Sequence, residues 1–203
     1  IDDEGIRQHH GNITQLDHAF GVLMKELDEQ GLAEDTFVFF TSDNGPEGAG
    51  TKGRTRGSTG GLRGRKRWSH EGGIRVPGIA RWPGHIKPGT ISSVPVIGSD
   101  LLPTILSIVG SELPKDRGID GVDMRPALAG KPVERPVPLY WRNHLAPADN
   151  HVALRIGDWK IVGDNALQKF QLYEIEKDWK EQTDLAAKMP EKLASMKAAL
   201  LKV

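Results

Sequence analysis

Five apolar residues near the start of the chain recur at steps of three and four and predict an amphipathic helix over residues 5–30. They are Ile13, Leu16, Phe20, Leu23 and Leu27. This spacing places all five on one face of a helix. Gly31 favours a helix end at that point because glycine readily adopts the left-handed conformation of a C-terminal cap. We expect the apolar face to cover a sheet.

A run of four apolar residues at positions 37–40 predicts a buried strand over residues 36–41. A continuous apolar run is typical of a strand that is covered on both faces, as in the parallel part of an α/β sheet. A second strand is predicted over residues 75–82. Pro77 restricts it to an end or edge position because proline cannot donate a hydrogen bond to a neighbouring strand.

The middle of the sequence predicts short helices followed by a domain boundary. A helix is predicted over residues 100–109, with Asp100 as its N-cap, and a helical turn over residues 126–128. Three prolines within residues 131–138 then interrupt the pattern. We therefore expect one domain at residues 1–130 and a C-terminal subdomain at residues 131–203.

The C-terminal pattern predicts a group of short strands and one helix. The strands are predicted at residues 137–141, 152–156, 159–162 and 170–175, and the helix at residues 190–201. Gly157 stands where a hairpin turn is required between the second and third of these strands. The tryptophans Trp141, Trp159 and Trp179 are interpreted as packing anchors, and residues 141–144 as a loop that could line a substrate pocket.

Composition excludes several classes of protein. Lys plus Arg equals Asp plus Glu at 27 each in 203 residues, so no overall charge favours nucleic acid. The absence of Cys excludes disulfides and thiolate metal sites within these residues. No apolar stretch approaches the roughly 18 residues that would span a membrane. We expect neither a nucleic-acid nor a membrane partner.

Asp43 and Asn44 lie just beyond the carboxyl end of the first strand, where open α/β folds place their ligands. A carboxylate and an amide carbonyl are hard oxygen donors that suit Ca²⁺ or Mg²⁺, and Gly45 permits a sharp turn. Two ligands are too few, because calcium takes about 6–8 oxygens. For these residues alone, a turn that closes the strand is the alternative interpretation.

A basic, glycine-rich segment follows. Residues 51–70 contain seven cationic side chains, five glycines and no acid. The cations are Lys52, Arg54, Arg56, Arg63, Arg65, Lys66 and Arg67. Successive backbone N–H groups together with cationic side chains can bind sulfate or phosphate. Taken alone, the segment could equally be a solvated basic loop.

His70 ends this basic segment, and Glu71 follows it directly. Glu71 precedes two glycines, and we expect it to form a structural ion pair with Arg75 or with the basic segment. A surface position for His70 is at least as consistent with the sequence as a contact with substrate.

Three motifs taken together resemble the second half of the sulfatase family. They are Thr-Ser-Asp-Asn-Gly at residues 41–45, Gly-Leu-Arg-Gly-Arg-Lys at 61–66 and Glu-Gly-Gly-Ile-Arg-Val-Pro at 71–77. Further segments resemble family landmarks in the family's order, at residues 81–84, 100–104, 119–123 and 155–160. The resemblance extends over essentially the whole chain.

The resemblance implies an α/β fold of the alkaline-phosphatase-like type. Its C-terminal portion, a mixed sheet, would be followed by a small subdomain of antiparallel strands and a terminal helix. The implied activity is calcium-dependent hydrolysis of a sulfate monoester, a carbohydrate or aryl sulfate. Carried over by motif, Asp43 and Asn44 would bind calcium, and Lys66 would contact the sulfate. The family suggests a periplasmic, secreted or lysosomal location.

The family's formylglycine nucleophile is made from a Cys/Ser-x-Pro-x-Arg motif that these residues lack. The chain has no Cys, and its one Ser-x-Pro, starting at Ser93, is not followed by the required Arg. We therefore expect the C-terminal half of a sulfatase, inactive alone, that joins a missing N-terminal half or self-associates. The alternatives are a phosphoesterase of the same superfamily and a non-catalytic module that binds polyanions.

Overall fold

Four strands near the C-terminus form an antiparallel sheet in chain order, as seen in a computed structural model that describes residues 3–48, 57–147 and 149–203. The strands are β3 (Leu139–Arg142), β4 (Val152–Ile156), β5 (Trp159–Gly163) and β6 (Phe170–Glu174). Gly157, with φ of 57°, turns the chain between β4 and β5, so that Ile156 pairs with Trp159. All four predicted strands are confirmed.

Both faces of this sheet are covered. On one face a buried apolar cluster joins the sheet to the terminal helix α5 (Pro190–Leu200). Its members are Val152, Leu154, Ile161, Leu172, Met196 and Leu200. On the other face lies a second cluster of Ala153, Val162, Tyr173 and Ile175, against which Trp141 packs. The alternation follows from the two-residue period of a strand.

The first predicted strand is present as β1 (Val38–Thr41), which pairs antiparallel with β2 (Gly78–Arg81). The expectation of a parallel strand covered on both faces is wrong for the part of the chain that the structure describes. Thr41 is exposed and the other residues of β1 are only half-buried. The apolar run indicated a strand correctly, but it carries no information on the direction of the partner.

The predicted N-terminal helix is α1 (Glu4–Glu29), with Gly31 at φ of 68° just beyond it. The helix has no fully buried residue, and Ile13 and Leu16 are 51% and 55% exposed. Of the five stripe residues, Phe20 and Leu27 are half-buried, and the ring of Phe20 packs edge-on against Phe40 at 5.2 Å between centroids. Most of the apolar stripe faces solvent.

The remaining elements are three short α-helices, α2 (Glu71–Ile74), α3 (Leu101–Ile108) and α4 (Arg125–Leu128), and a 3-10 helix at Gly98–Asp100 that leads into α3. Asp100 stands at the N-cap of α3, as expected, but its side chain makes no capping hydrogen bond there. The carboxylate instead accepts hydrogen bonds from the backbone N–H groups of Ile97 and Val122 and forms a buried ion pair with Arg135.

The chain divides into two compact units, and α1 contributes to both. The first contains the described residues of Ile1–Leu16, Asn44–Val76 and Pro138–Val203, and the second contains Asp17–Asp43 and Pro77–Val137. The predicted domains at residues 1–130 and 131–203 stay a prediction. In the described residues, no helix is both long enough and apolar enough to cross a membrane.

Candidate functional site

The segment after Asn44 is joined by backbone hydrogen bonds to the segment that carries Lys66. The N–H of Gly45 donates to the carbonyl oxygen of Gly73, with 2.9 Å between the atoms. The N–H of Lys66 donates to the carbonyl oxygen of Pro46, also at 2.9 Å. Residues 45 and 46 are thereby held beside both the motif at 61–66 and the motif at 71–77, within the first unit.

The glycines of these motifs are required by close backbone contacts. A Cβ placed on Gly45 would lie 1.9 Å from the carbonyl oxygen of Gly72, and one on Gly73 would lie 2.1 Å from that of Trp68. Both distances are far below van der Waals contact. Backbone therefore packs directly on backbone here, which only a residue without a side chain permits.

Asp43 and Asn44 present oxygen atoms of the kind that calcium binds. Asp43 is exposed, and its Oδ1 lies 3.4 Å from Ser42 Oγ. Asn44 donates from Nδ2 to the carbonyl oxygen of Gly45 at 3.1 Å. Among residues 3–48, 57–147 and 149–203, no group of three or more His, Asp or Glu could hold a metal ion. The donors fit calcium chemically, but they supply only part of a coordination shell.

Glu47 is the counter-ion of two residues of the basic segment, Lys66 and Arg67. Its carboxylate lies 2.5 Å from Arg67 Nη1 and 4.0 Å from Lys66 Nζ, and its backbone carbonyl accepts a hydrogen bond from Arg65 Nη1 at 3.0 Å. The hydrogen bond from Arg67 is the largest cause that lowers the pKa of Glu47. Glu47 was not predicted as a site residue, because it lies outside the acid-free basic segment at residues 51–70.

The candidate sulfate contact, Lys66, has a side chain that is 38% exposed. The neighbouring Arg67 has a positive φ of 77°, unusual for a residue other than glycine, and its carbonyl oxygen accepts a hydrogen bond from Asn143 Nδ2 at 3.1 Å. Asn143 of the predicted loop at residues 141–144 thus contacts the basic segment, whereas Trp141 and Arg142 belong to strand β3 and not to a loop. The predicted anion-binding residues Lys52, Arg54 and Arg56 lie outside the described residues.

Glu71 forms the structural ion pair that the sequence predicted, but its main partner is a different cation. Glu71 Oε1 lies 2.8 Å from Lys160 Nζ, whereas Arg75 Nη1 is 3.6 Å from Glu71 Oε2. Lys160 is fully buried on β5 and also pairs with the buried Glu181. The one available signal was a lysine in the otherwise apolar sequence Trp-Lys-Ile-Val at residues 159–162.

His70 is buried, so the expectation of a surface position is wrong. It is 2% exposed, and its Nε2 lies 3.0 Å from Gln171 Oε1. Burial lowers the pKa of His70 to about 3, and the positive charges of Arg63 and Lys160 act in the same direction. The imidazole is therefore neutral near pH 7. Its neighbours Trp68 and Tyr173 explain why it is inside.

Two family models match the chain. The one described as Sulfatase matches residues 2–111, and the one described as N-sulphoglucosamine sulphohydrolase, C-terminal, matches residues 64–202. Steryl-sulfatase of Rattus norvegicus is 45% identical over 121 residues, which are 58% of this chain and 21% of that protein. N-acetylgalactosamine-6-sulfatase of Mus musculus is 38% identical over 161 residues, 76% of this chain and 29% of that protein.

Solved structures extend the likeness to the fold. The crystal structure of Ps i-CgsB superposes with a TM-score of 0.85 at 28% identity, covering 100% of this chain and 44% of that one. PsFucS1 sulfatase from Pseudoalteromonas sp. gives a TM-score of 0.70 at 29% identity, covering 92% and 41%. The alkaline-phosphatase-like fold predicted from the motifs is confirmed.

In all of these matches, the chain covers only part of the matched protein. The chain spans 21% to 29% of the two curated relatives and less than half of either solved structure. The Sulfatase family model alone matches residues 2–111, which is more than half of the 203 residues. The motifs, the fold and the family models agree, and the chain belongs to the sulfatase family.

Proposed function

We propose that a protein containing this chain hydrolyses a sulfate monoester and that Lys66 contacts the sulfate group. The observation that carries the proposal is the pairing of two segments: the backbone bond from Lys66 to Pro46 holds the basic segment against the segment that follows Asn44. Because the backbone of Lys66 is held in place, its cation needs less rearrangement when negative charge develops on the sulfate oxygens. Lysine suits this contact because its ammonium is a compact charge with three donors.

Asp43 and Asn44 would supply this chain's share of a calcium site. Their carboxylate and amide oxygens are hard donors, and they are consecutive residues beyond β1. Bound calcium would supply positive charge that neutralises sulfate oxygens. The remaining ligands and the formylglycine nucleophile are expected from residues upstream of this chain. These 203 residues alone are therefore expected to be inactive.

A carbohydrate sulfate is the substrate class that we favour, with an aryl sulfate as the alternative. One relative is named N-acetylgalactosamine-6-sulfatase, and Ps i-CgsB has been solved in complex with k-i-k-neocarrahexaose. A phosphonate monoester hydrolase from Silicibacter pomeroyi shares the fold at 24% identity with a TM-score of 0.67. Phosphoesters therefore belong in the assay as the competing substrate class.

The test uses the full-length protein with its nucleophile in place. We would measure hydrolysis of p-nitrophenyl sulfate, p-nitrophenyl phosphate and sulfated oligosaccharides by the wild type, by Lys66→Ala and by Lys131→Ala, which removes an exposed lysine of the other unit. We expect sulfate esters to be preferred. Lys66→Ala should lower kcat/KM by roughly 10²–10³-fold, the cost of removing one preorganised charge contact, while Lys131→Ala matches the wild type.

Two outcomes would overturn the proposal. Hydrolysis of the phosphate ester alone would assign the protein to the phosphoesterases. Salt-sensitive binding of sulfated polysaccharide without any hydrolysis would identify a polyanion-binding protein. If Lys66→Ala retained the full kcat/KM on sulfate esters, the activity would stand but the role of Lys66 would not.

Calcium is tested separately from the substrate. Removal of metal with a chelator should abolish sulfate ester hydrolysis, calcium should restore it, and Asp43→Ala should weaken calcium binding in a calorimetric titration. Asp35→Ala is the matched control, because it removes a carboxylate that lies before β1 rather than after it. Full activity in the presence of chelator would contradict the assignment of a calcium site.

A further inference from the structure

Lys160 occupies a position in the sheet where a charge is not expected. It lies on β5, next to the buried residues Ile161 and Val162, and it is fully buried. Its Nζ donates a hydrogen bond to Glu71 Oε1 at 2.8 Å and forms an ion pair with Glu181 Oε1 at 2.9 Å that lacks hydrogen-bond geometry. Burying such a group is costly unless its charge is matched.

Glu71 and Glu181 are also joined directly, through the backbone of Glu71. Glu181 Oε2 accepts a hydrogen bond from the backbone N–H of Glu71 at 2.7 Å. Arg63 Nη1 donates to the backbone carbonyl of Glu181 at 3.1 Å and to Tyr173 Oη at 2.6 Å. Helix α2 is thereby fixed to the C-terminal sheet by side chain and backbone together.

From Glu71 the contacts continue to the candidate site through backbone. The N–H of Gly72 donates to the carbonyl oxygen of Arg63 at 2.7 Å, and the carbonyl oxygen of Gly73 accepts the N–H of Gly45 at 2.9 Å. The glycine contacts leave no space between these segments, since a Cβ on Gly72 would lie 2.4 Å from the carbonyl oxygen of Gly64. Movement of α2 would therefore shift the backbone beside Asn44 and the segment that leads to Lys66.

We propose that Lys160 is a positioning residue: by binding Glu71 and Glu181, it fixes the backbone that carries Asn44 and Lys66. The proposal rests on the proposed function, in which those two residues bind calcium and sulfate. Stability alone does not require a buried ion pair, because a protein in which apolar residues of similar volume replace the pair is often at least as stable. A charged group at this place instead selects one arrangement of α2 among those that would pack equally well.

The experiment compares two buried ion pairs of the full-length protein. Lys160→Met removes the cation under α2, and Glu71→Gln is a milder change at the same contact. Arg135→Met is the matched control, because Arg135 pairs with the fully buried Asp100 and its described hydrogen bonds reach only Pro95 and Asp100. The measurements are Tm, kcat and KM on p-nitrophenyl sulfate, and hydrogen exchange of peptides that cover residues 44–48 and 63–73.

We expect Lys160→Met and Arg135→Met both to lower Tm. Only Lys160→Met should also lower kcat, by at least tenfold, and accelerate exchange in the two peptides, with Glu71→Gln intermediate. A neutral variant, Lys160→Met/Glu71→Gln/Glu181→Gln, leaves no buried charge unpaired. It should recover Tm without recovering kcat. Recovery of both would show that Lys160 serves stability only and would overturn the proposal.

Failure of the proposed function can be distinguished from failure of this inference. If the wild type hydrolyses no sulfate ester, the proposed function is wrong. Hydrogen exchange then tests, without an assay of activity, whether Lys160 positions the backbone. Faster exchange at residues 44–48 in the neutral variant, but not in Arg135→Met, would support positioning. Unchanged exchange there would overturn it.

Discussion

Arg63 and Tyr173 are 110 residues apart in sequence, yet Arg63 Nη1 lies 2.6 Å from Tyr173 Oη. Tyr173 is fully buried on β6, and its burial raises the pKa of the phenol, so the hydroxyl stays protonated. The hydroxyl can therefore accept the hydrogen bond from the guanidinium while keeping its own proton. Through this contact the basic segment is attached to the C-terminal sheet.

Replacing Tyr173 with Phe should lower the free energy of unfolding by about 1.5–3 kcal/mol, the range for a hydrogen bond to a charged group. The loss arises because the change removes a buried partner of Arg63 without altering the packing of the ring. Urea denaturation monitored by circular dichroism measures it. Tyr140→Phe is the control, since no hydrogen bond is described for that hydroxyl, and equal losses in both variants would contradict the prediction.

Gly45→Ala should destabilise the protein strongly, because its Cβ would lie 1.9 Å from a backbone oxygen that cannot move independently of α2. We expect a loss of more than about 3 kcal/mol or failure to fold, as for other severe steric conflicts. Gly21→Ala is the matched control. Nothing lies within 4 Å of its Cβ within α1, so alanine should stabilise by about 0.5–1 kcal/mol. Thermal unfolding of both variants distinguishes them.

The sequence predicted local structure well because apolar period, turn glycines and prolines act over a few residues. The strands β3 to β6 and the hairpin at Gly157 follow from such patterns. The antiparallel pairing of β1 with β2 does not follow from such patterns. The direction of a strand depends on its partner, which lies about 40 residues away in sequence.

The same limit applies to the candidate site. Asp43, Asn44 and Lys66 were identified from motifs, and their proposed roles stay predictions. Lys160 and Glu47 were missed because their importance comes from contacts and not from spacing: Lys160 meets Glu71 from 89 residues away. The expected surface position of His70 failed for the same reason, since its neighbours on β6 are remote in sequence.

His70 should make the protein less stable in acid. Its pKa is lowered from 6.5 to about 3 in the folded protein, so between these values the unfolded chain binds a proton that the folded chain does not. Stability is therefore unaffected above pH 6.5 and falls as pH falls towards 3, by up to about 1.4 kcal/mol per pH unit. His70→Gln removes this contribution.

The measurement is the free energy of unfolding of wild type and His70→Gln at pH 7.5, 6 and 4.5. His70→Gln is expected to have a flatter dependence on pH, whatever its stability at pH 7.5. Carboxylates contribute to acid unfolding in both proteins, so only the difference between the two slopes reports on His70. Parallel slopes would show that folding does not lower the pKa of His70.

The exposed stripe of α1 should make the isolated chain self-associate. Ile13, Leu16 and Leu23 are 51%, 55% and 51% exposed, and Ile79 of β2 is 61% exposed. Apolar surface in water costs roughly 25 cal/mol per Å², so contiguous residues on a helix face favour contact with another surface. Sedimentation velocity over a range of concentrations should show oligomers of the 203-residue chain.

Charge placed on the stripe should reduce this association. Ile13→Lys/Leu16→Lys introduces two cations on the apolar face, whereas Thr14→Lys/Gln15→Lys introduces the same charge at neighbouring exposed positions off the stripe. If association is driven by the stripe, the first pair should shift the chain towards monomer and the second should change it much less. Equal shifts would assign the effect to net charge. A wild-type chain that stays a cooperative monomer at high concentration would show that the exposed stripe is tolerated without a partner.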